Sequence, residues 1–138
     1  DVLFHIVDDK KYNQALSNIY DVMCPGGFFF FSGNFLYAGT RRSEHIVHRS
    51  LEDARQALRK AGFEIVDRQP MFVIMNEPVD SPSAVSQKLW PRIYHYAARS
   101  ETSGAILGAL LFPIEMMLTR LLSESPTTEM MVCKKPAE

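Results

Sequence analysis

The beginning of the chain places a helical pattern between two apolar runs. Residues 1–7 are mostly apolar, which predicts a buried strand or the segment that leaves one. Asp8 and Asp9 then offer caps for a helix whose apolar positions recur every three or four residues. Pro25, Gly26 and Gly27 end that helix. Its apolar face consists of Tyr12, Ala15, Leu16, Ile19, Tyr20 and Met23.

A run of phenylalanines follows the glycine turn. Residues 28–31 are all phenylalanine, and a strand that is apolar on both faces is typical of the middle of a sheet covered by helices. Ser50, with Asp53 three residues later, then begins a second helix that ends at Gly62. Residues 63–67 alternate as a further strand. The order helix, strand, helix, strand predicts an α/β layer fold with a mainly parallel sheet.

The second half of the chain predicts a helical insertion. Residues 80–86 are rich in serine and proline and mark a boundary. One helical pattern then bends or restarts at Pro91, and a second, capped by Ser103, continues until Pro126. Residues 127–134 predict the final strand. We therefore expect one domain over residues 1–138, with residues 80–125 inserted between its last two strands.

Composition narrows the class of protein. Hydrophobic residues make up 46% of the chain, charged residues 22%, and the net charge is -1. These values exclude a disordered chain and a nucleic-acid binder that relies on a basic surface. Cys24 and Cys133 are far apart and show no metal-like spacing, which fits a reducing cytoplasm.

One apolar stretch, residues 104–122, raises the question of a membrane. It contains Glu115 and Arg120 as well as Pro113. Each charge near the centre of a membrane helix would cost about 2.5–3.5 kcal/mol. We therefore expect an amphipathic helix that covers a pocket, no membrane partner and a cytoplasmic location.

Three segments carry a resemblance to a known family: DVLFHIVDD, NIYDVMCPGGFFFFSGNF and EHIVHRSLEDARQALRKAGFEIV. They resemble class I S-adenosylmethionine-dependent methyltransferases, in which a strand with an acidic residue leads into a loop and helix. A Pro-Gly-Gly turn, a hydrophobic strand and a helix ending in Ala-Gly-Phe follow in that family. The closing PTTEMMVCKKP resembles its last strand. The resemblance covers nearly the whole chain.

The resemblance implies the C-terminal part of a methyltransferase domain. Its fold would be a partial Rossmann-like sheet made of strands 5, 6 and 7 and the end of strand 4, with an inserted helical cap. Strand 7 would run antiparallel between strands 5 and 6. The implied activity is methyl transfer from S-adenosylmethionine to a small-molecule acceptor, carried out by an enzyme of which this chain is a fragment.

The chain departs from the family where the cofactor should be held. In the family, the glycine-rich loop and the acid that binds the cofactor ribose lie upstream of this region. The seven glycines here form no G-x-G-x-G run. Asp1 and Val2, at the end of strand 4, are the cofactor contacts that the resemblance leaves. We expect the chain alone to bind S-adenosylmethionine weakly or not at all.

Two loops beyond strand ends contain the candidate site residues, because ligands of open α/β sheets bind at that edge. His5 and His45 are candidate catalytic bases, since histidine exchanges protons near neutral pH. Candidate substrate contacts are Asn34, His48 and Arg49 in the second loop, and Trp90 in the helical insertion.

Simpler interpretations compete with each of these roles. His5 can instead pack between Phe4 and Ile6, and Arg49 can bind an anionic group or remain solvated. Asp8 and Asp9 are better explained as helix caps than as acid or base groups. His45 and His48 could pair at a metal with a carboxylate such as Glu44, but the stretch has no helical period, and we predict no metal.

A second function class also fits the pattern. A sheet that begins after its fourth strand exposes an edge and an apolar face, and such edges recruit partners. The alternative hypothesis is therefore a non-catalytic interaction or dimerisation domain derived from a methyltransferase fold, including association with a second copy.

Overall fold

A computed structural model describes residues 2–79 and 84–137, and for 84–86 the backbone alone. It shows a mixed α/β protein with four α-helices, five strands and a short 3-10 turn at Leu3–His5 among the described residues. The chain divides into two compact units, Asp1–Arg68 with Met130–Glu138, and Gln69–Glu129. In chain order the elements are α1 (Asp9–Val22), β1 (Phe28–Gly33), β2 (Arg41–Arg42), β3 (Val47–His48), α2 (Leu51–Ala61), β4 (Glu64–Phe72), α3 (Ala84–Ala97), α4 (Glu101–Leu121) and β5 (Thr128–Lys134).

The main sheet has the strand order β1-β5-β4. The Gly26 amide donates to the Lys135 carbonyl and the Lys135 amide to the Gly27 carbonyl, each at 2.9 Å, so the start of β1 lies beside the end of β5. The hydroxyls of Ser125 and Thr127, just before β5, donate to the carbonyl of Phe72 at the end of β4. The last strand therefore lies antiparallel between β1 and β4, which share one direction.

This arrangement corrects the expectation of a mainly parallel sheet. β1 and β4 do run parallel, as an alternation of strands and helices predicts, but they are not neighbours. Both hydrogen-bonded pairs of the sheet are antiparallel because β5 lies between them. The expectation failed because the sequence pattern gives the direction of successive strands and not which strand lies between them.

The phenylalanine strand is also not central. β1 is an edge strand of the three, and Phe28 and Phe30 are 53% and 57% exposed. Phe29 and Phe31 point the other way and pack against the core. The prediction that this strand is covered on both faces is therefore wrong for the part of the chain that the structure describes.

Helices α1 and α2 supply much of the core of the first unit. Leu16, Ala54 and Leu58 are fully buried and form a cluster with Phe63 and Met131. The further members of this core are Tyr12, Phe35 and Cys133.

The predicted helix ends of the first unit are confirmed. The carboxylate of Asp8 accepts from the Lys11 amide at 2.9 Å, and the hydroxyl of Ser50 accepts from the Asp53 amide at 3.0 Å. Gly62 ends α2 with a φ of 100°, and an added Cβ would lie 2.8 Å from the Tyr20 ring. Both the backbone conformation and the space therefore require glycine.

Other local predictions need correction. The apolar run at residues 1–7 contains a 3-10 turn rather than a strand, and the aperiodic stretch after β1 contains the β2–β3 pair. The strand predicted over 63–67 continues to Phe72. The last helix is capped by Ser100 and not by Ser103. Ser103 completes the capping box three residues later. Both Pro91 and Pro113 lie inside helices.

The second unit contains α3 and α4, which contact each other as a helical hairpin. Glu115 of α4 is buried, and its carboxylate accepts from the Val73 amide and, at 2.8 Å, from the Ile74 amide. It thereby binds two backbone donors just beyond β4. The two helices lie between β4 and β5 in the chain, within the predicted insertion. The predicted boundary at 80–86 falls mostly outside the described residues.

Among the described residues, α4 alone has the length and apolar composition that a membrane-crossing helix needs. One such helix is weak evidence, because the core helix of a water-soluble protein passes the same test. Only 6% of its apolar window is buried, however. The cytoplasmic location remains a prediction.

Candidate functional site

The candidate site lies at the end of β1, where the Leu3–His5 turn meets β3. A groove at this point has a cavity volume of 20 Å³, space for about one water molecule. The groove is therefore too small to enclose a ligand, and a ligand would lie across its opening. We call this groove the rim. Its walls are formed by Leu3, Phe4, Tyr12, Phe31, Ser32, Gly33, Asn34, Phe35, Val47 and Arg49.

The two predicted catalytic histidines lie next to each other. The Nδ1 atom of His5 is 3.0 Å from the backbone carbonyl oxygen of His45. A carbonyl oxygen can only accept a hydrogen bond, so this contact requires the proton on Nδ1. In the neutral ring, Nε2 then carries the lone pair, which is the atom a general base needs. The His5 side chain is exposed, and its ring contacts that of the neighbouring Phe4.

His45 takes part through its backbone. Its side chain is 87% exposed, and its Nε2 lies 3.8 Å from a carboxylate oxygen of Glu44. The backbone carbonyl of His45 thus contacts His5, whereas the His45 imidazole does not. The predicted catalytic role of this imidazole remains untested.

His48 joins the same group of side chains through Phe4. The centroid of the Phe4 ring is 4.3 Å from that of His5 and 6.4 Å from that of His48. The structure therefore brings together residues from the two loops that were predicted to meet at the sheet edge. Within residues 2–79 and 84–137, no three or more histidine, cysteine, aspartate or glutamate side chains lie close enough together to hold a metal ion.

Arg49 is not the solvated cation that one interpretation expected. It is 7% exposed, and its guanidinium lies 3.7 Å from the centre of the Tyr12 ring. It donates at 2.9 Å to the carbonyl of Ile6 and to the carboxylate of Asp9. Arg49 therefore fastens the segment after His5 and the start of α1 to β3. Stacking on Tyr12 adds a cation–π contact.

Asp9 forms ion pairs with both Arg49 and Arg42. Partial burial would raise the pKa of Asp9, but hydrogen bonds from Arg49 and Arg42 outweigh burial and hold the pKa below its usual value. The carboxylate is therefore ionised at neutral pH and bridges both arginines. Burial raises the pKa of the Tyr12 hydroxyl, which keeps that ring neutral beneath Arg49. The sequence predictions missed Arg42, whose only local signal is the pair of adjacent arginines.

A larger cleft of 790 Å³ lies on the other side of Arg49, between α1 and α2. Thr40 donates at 2.6 Å to Asp53 there, and that hydrogen bond lowers the pKa of Asp53. The cleft lies along helix surfaces and does not include His5. His5 lines neither cavity, but its ring contacts that of Phe4, which lines the smaller rim, and we therefore place the candidate chemistry beside that rim. The other cleft residues are Asp9, Tyr12, Asn13, Arg42, Gln56, Ala57, Arg59 and Lys60.

The remaining predicted contacts are spread over the chain. Asn34 lines the rim, and Val2 precedes the 3-10 turn as an exposed residue. Asp1 lies outside the described residues. Trp90 belongs to α3 of the second unit, where its ring centroid is 6.3 Å from that of Tyr94.

S-adenosylmethionine, which the resemblance implies, finds few partners among the described residues. Val2 is apolar and exposed, and the glycines of the chain do not form a phosphate-type or nucleotide-type loop. The residues that the structure describes do not make a site for this cofactor by themselves.

Comparisons with known proteins add no family assignment. Neither a scan against models of protein families nor a search of curated proteins finds a match for this chain.

Proposed function

We propose that the chain forms the acceptor side of a class I S-adenosylmethionine-dependent methyltransferase that acts on a small molecule. The observation that carries the proposal is the sheet. Its last strand, β5, lies antiparallel between β1 and β4, which is the order and direction that the resemblance implies for strands 5, 7 and 6. This agreement involves contacts far apart in sequence, so it does not follow from the matching segments themselves.

His5 is the residue through which the chain takes part in the reaction. S-adenosylmethionine supplies the methyl group, and a hydroxyl or amine acceptor must lose a proton as it gains that group. An imidazole whose Nδ1 is held by a carbonyl presents Nε2 for this proton. Arg49 donates to the carbonyl of Ile6 and to Asp9, which fixes the backbone that follows His5 and supports the ring beside Phe4 of the rim.

The acceptor is proposed to be small because the chain has no basic field for nucleic acid. Its net charge is -1, and two of the arginines at the site are already bound to Asp9. The aromatic and apolar rim around Phe4 and Asn34 suits a compact organic acceptor with one polar group.

The test uses the full-length product of the open reading frame that contains residues 1–138, called the longer polypeptide where it extends beyond them. It is incubated with methyl-labelled S-adenosylmethionine and a panel of small hydroxyl and amine compounds, and His5→Asn is compared with the wild type. Loss of the base should lower turnover by about a hundredfold or more with an unchanged melting temperature. His95→Asn, which changes an exposed histidine of α3, is the matched control and should be fully active. Normal turnover in His5→Asn would refute the role of His5.

One observation favours the second function class, an interaction domain. The exposed Phe28 and Phe30 form an apolar strip on an edge strand, which is the kind of surface that pairs with another chain. If association alone were the function, Phe30→Lys would abolish self-association of the 138-residue chain, and no methyl transfer would be found for the longer polypeptide.

A further inference from the structure

The last helix exposes an apolar stripe. Five residues of α4 recur at intervals of four, four, three and four positions, which places them on one side of the helix. Each of them is at least 45% exposed. A stripe of this kind is normally buried, so its exposure indicates a surface that something else covers. The five residues are Ile106, Leu110, Ile114, Met117 and Leu121.

The charge that interrupts this helix in the sequence does not reach the stripe. Glu115 is 5% exposed and is bound to the amides of Val73 and Ile74. It is the one charged residue between Glu101 and Arg120, which lie in the first and last turns. The exposed surface of α4 between those turns therefore carries no charge. The argument from Glu115 against contact with lipid does not hold for this side of the helix.

The neighbouring helix adds basic and aromatic groups. Residues 84–100 contain no aspartate or glutamate but contain Lys88, Arg92 and Arg99. Lys88 and Arg92 are exposed on α3, and so are Tyr94 and Tyr96. Tyrosine and tryptophan side chains favour the boundary between water and lipid, and basic residues are attracted to anionic headgroups.

The two helices form a continuous hairpin. They contact each other directly, and the connection is so tight that a Cβ added at Gly104 would lie 3.1 Å from the Ala97 carbonyl oxygen. The exposed sides of α3 and α4 are called the hairpin surface here. It combines a basic, aromatic helix with an uncharged apolar one, which is the composition of helices that lie in a membrane interface.

We propose that the hairpin surface docks on an anionic lipid bilayer, with α4 lying in the interface. The hairpin does not span the bilayer, because α3 has 14 residues and is about 21 Å long, shorter than the roughly 30 Å hydrocarbon core. A symmetric pair of chains would bring the same patch against itself and so set the basic residues of α3 near each other. Anionic headgroups complement these charges instead. This proposal does not depend on methyl transfer.

The single tryptophan of the chain, Trp90, lies in α3 and reports on docking. The 138-residue chain is mixed with vesicles of phosphatidylcholine alone or with an equal part of phosphatidylglycerol. With the anionic vesicles we expect a blue shift of the fluorescence and co-sedimentation, both weakened by salt. Arg92→Gln should weaken binding about fivefold, since one basic residue near such a surface contributes about 1 kcal/mol.

Leu110→Asp tests the apolar half of the hairpin surface. It should weaken binding by more than about tenfold, because it replaces an inserted leucine by a charge. Val22→Asp is the matched control and should leave binding unchanged, because Val22 is an apolar residue of α1 that is 83% exposed, against 65% for Leu110. Circular dichroism verifies that each variant folds. If Leu110→Asp does not fold, Arg92→Gln provides the test.

Absence of vesicle binding would overturn the proposal, and so would equal binding to both kinds of vesicle. A dimer in solution that Leu110→Asp dissolves, without vesicle binding, would assign the surface to a second copy instead.

Discussion

The Nδ1 atom of His5 lies 3.0 Å from the backbone carbonyl oxygen of His45, although the two residues are 40 positions apart. Because the partner is a backbone atom, the contact fixes the tautomer of His5 whatever side chain occupies position 45. The two histidines therefore have different roles in this account. His5 presents a ring nitrogen, and His45 holds it with a carbonyl.

This difference leads to a prediction for His45→Ala. The change removes an imidazole that is almost fully exposed and keeps the carbonyl that contacts His5. Turnover of the longer polypeptide should stay within about twofold of wild type, and the melting temperature should not change, since exposed substitutions usually cost under about 0.5 kcal/mol. A loss of turnover as large as that of His5→Asn would instead make the imidazole of His45 a catalytic group, as the sequence first suggested.

The contact between Asp9 and its two arginines predicts a dependence of stability on pH. The pKa of Asp9 is lower in the folded chain than its usual value of about 3.9, so folding favours the ionised carboxylate. This contribution to stability is fully present above the usual pKa and is lost as the pH falls through the folded pKa. Because the Asp9 side chain is 56% exposed, solvent screens these contacts, and Asp9→Asn should lower the melting temperature at neutral pH by at most about 4 °C, for a loss of at most about 1 kcal/mol.

Thermal melts of both chains between pH 7 and pH 3 test this reasoning. The difference between wild type and Asp9→Asn should be constant above about pH 5 and shrink below about pH 4. Asp21→Asn, which changes an exposed carboxylate at the other end of α1, serves as the control. A difference that persists unchanged at pH 3 would mean that the Asp9 side chain stabilises the fold by packing and not by its charge.

Glu115 is predicted to stabilise the fold of the second unit. Its carboxylate is the acceptor for two amides, of which that of Val73 belongs to a buried residue. Glu115→Ala removes both hydrogen bonds and should lower the free energy of unfolding by about 2–4 kcal/mol, measured by urea denaturation. Glu115→Gln keeps one acceptor oxygen and should cost roughly half as much. Glu44→Gln, at an exposed position, should cost nothing measurable. Equal stability of Glu115→Ala and wild type would contradict the contact.

The two cysteines should differ in reactivity. Cys24 is exposed, whereas Cys133 is buried in the core, and burial raises the pKa of its thiol to about 12. Since the thiolate is the reactive form, a thiol reagent at neutral pH should modify one cysteine in the folded chain and both in denaturant. In Cys24→Ser no fast reaction should remain. Rapid modification of two thiols under native conditions would show that the core opens around Cys133.

The parts of the fold that could be predicted from the sequence are those fixed by neighbours along the chain. Asp8 and Ser50 begin α1 and α2, and Gly62 ends α2, as expected, because capping depends on residues three or four positions away. The final strand was also found, since its apolar run lies between clear turn signals. The short β2–β3 pair was missed because two-residue strands have no detectable period.

The parts that could not be predicted depend on distant partners. Whether Phe28 is covered depends on which strands and helices surround β1, and no local pattern gives that. Arg49 could not be recognised as a buried residue because its partners, Ile6 and Asp9, lie about 40 positions earlier. The same holds for Glu115, which the sequence presented as a charge on an apolar helix and the structure directs inward. The position of the candidate residues at a sheet edge is a prediction from the strand order, whereas the contacts among them could not be predicted.

The central claim is that this chain is the acceptor side of a methyltransferase whose cofactor is held mainly by residues outside it. The most direct measurement is a calorimetric titration of S-adenosylmethionine into the 138-residue chain and into the longer polypeptide with its upstream residues. We expect micromolar binding by the longer polypeptide and no measurable binding by the chain alone, because the chain has no glycine-rich loop. Absence of binding by the longer polypeptide would contradict the account, and so would low-micromolar binding by the chain alone.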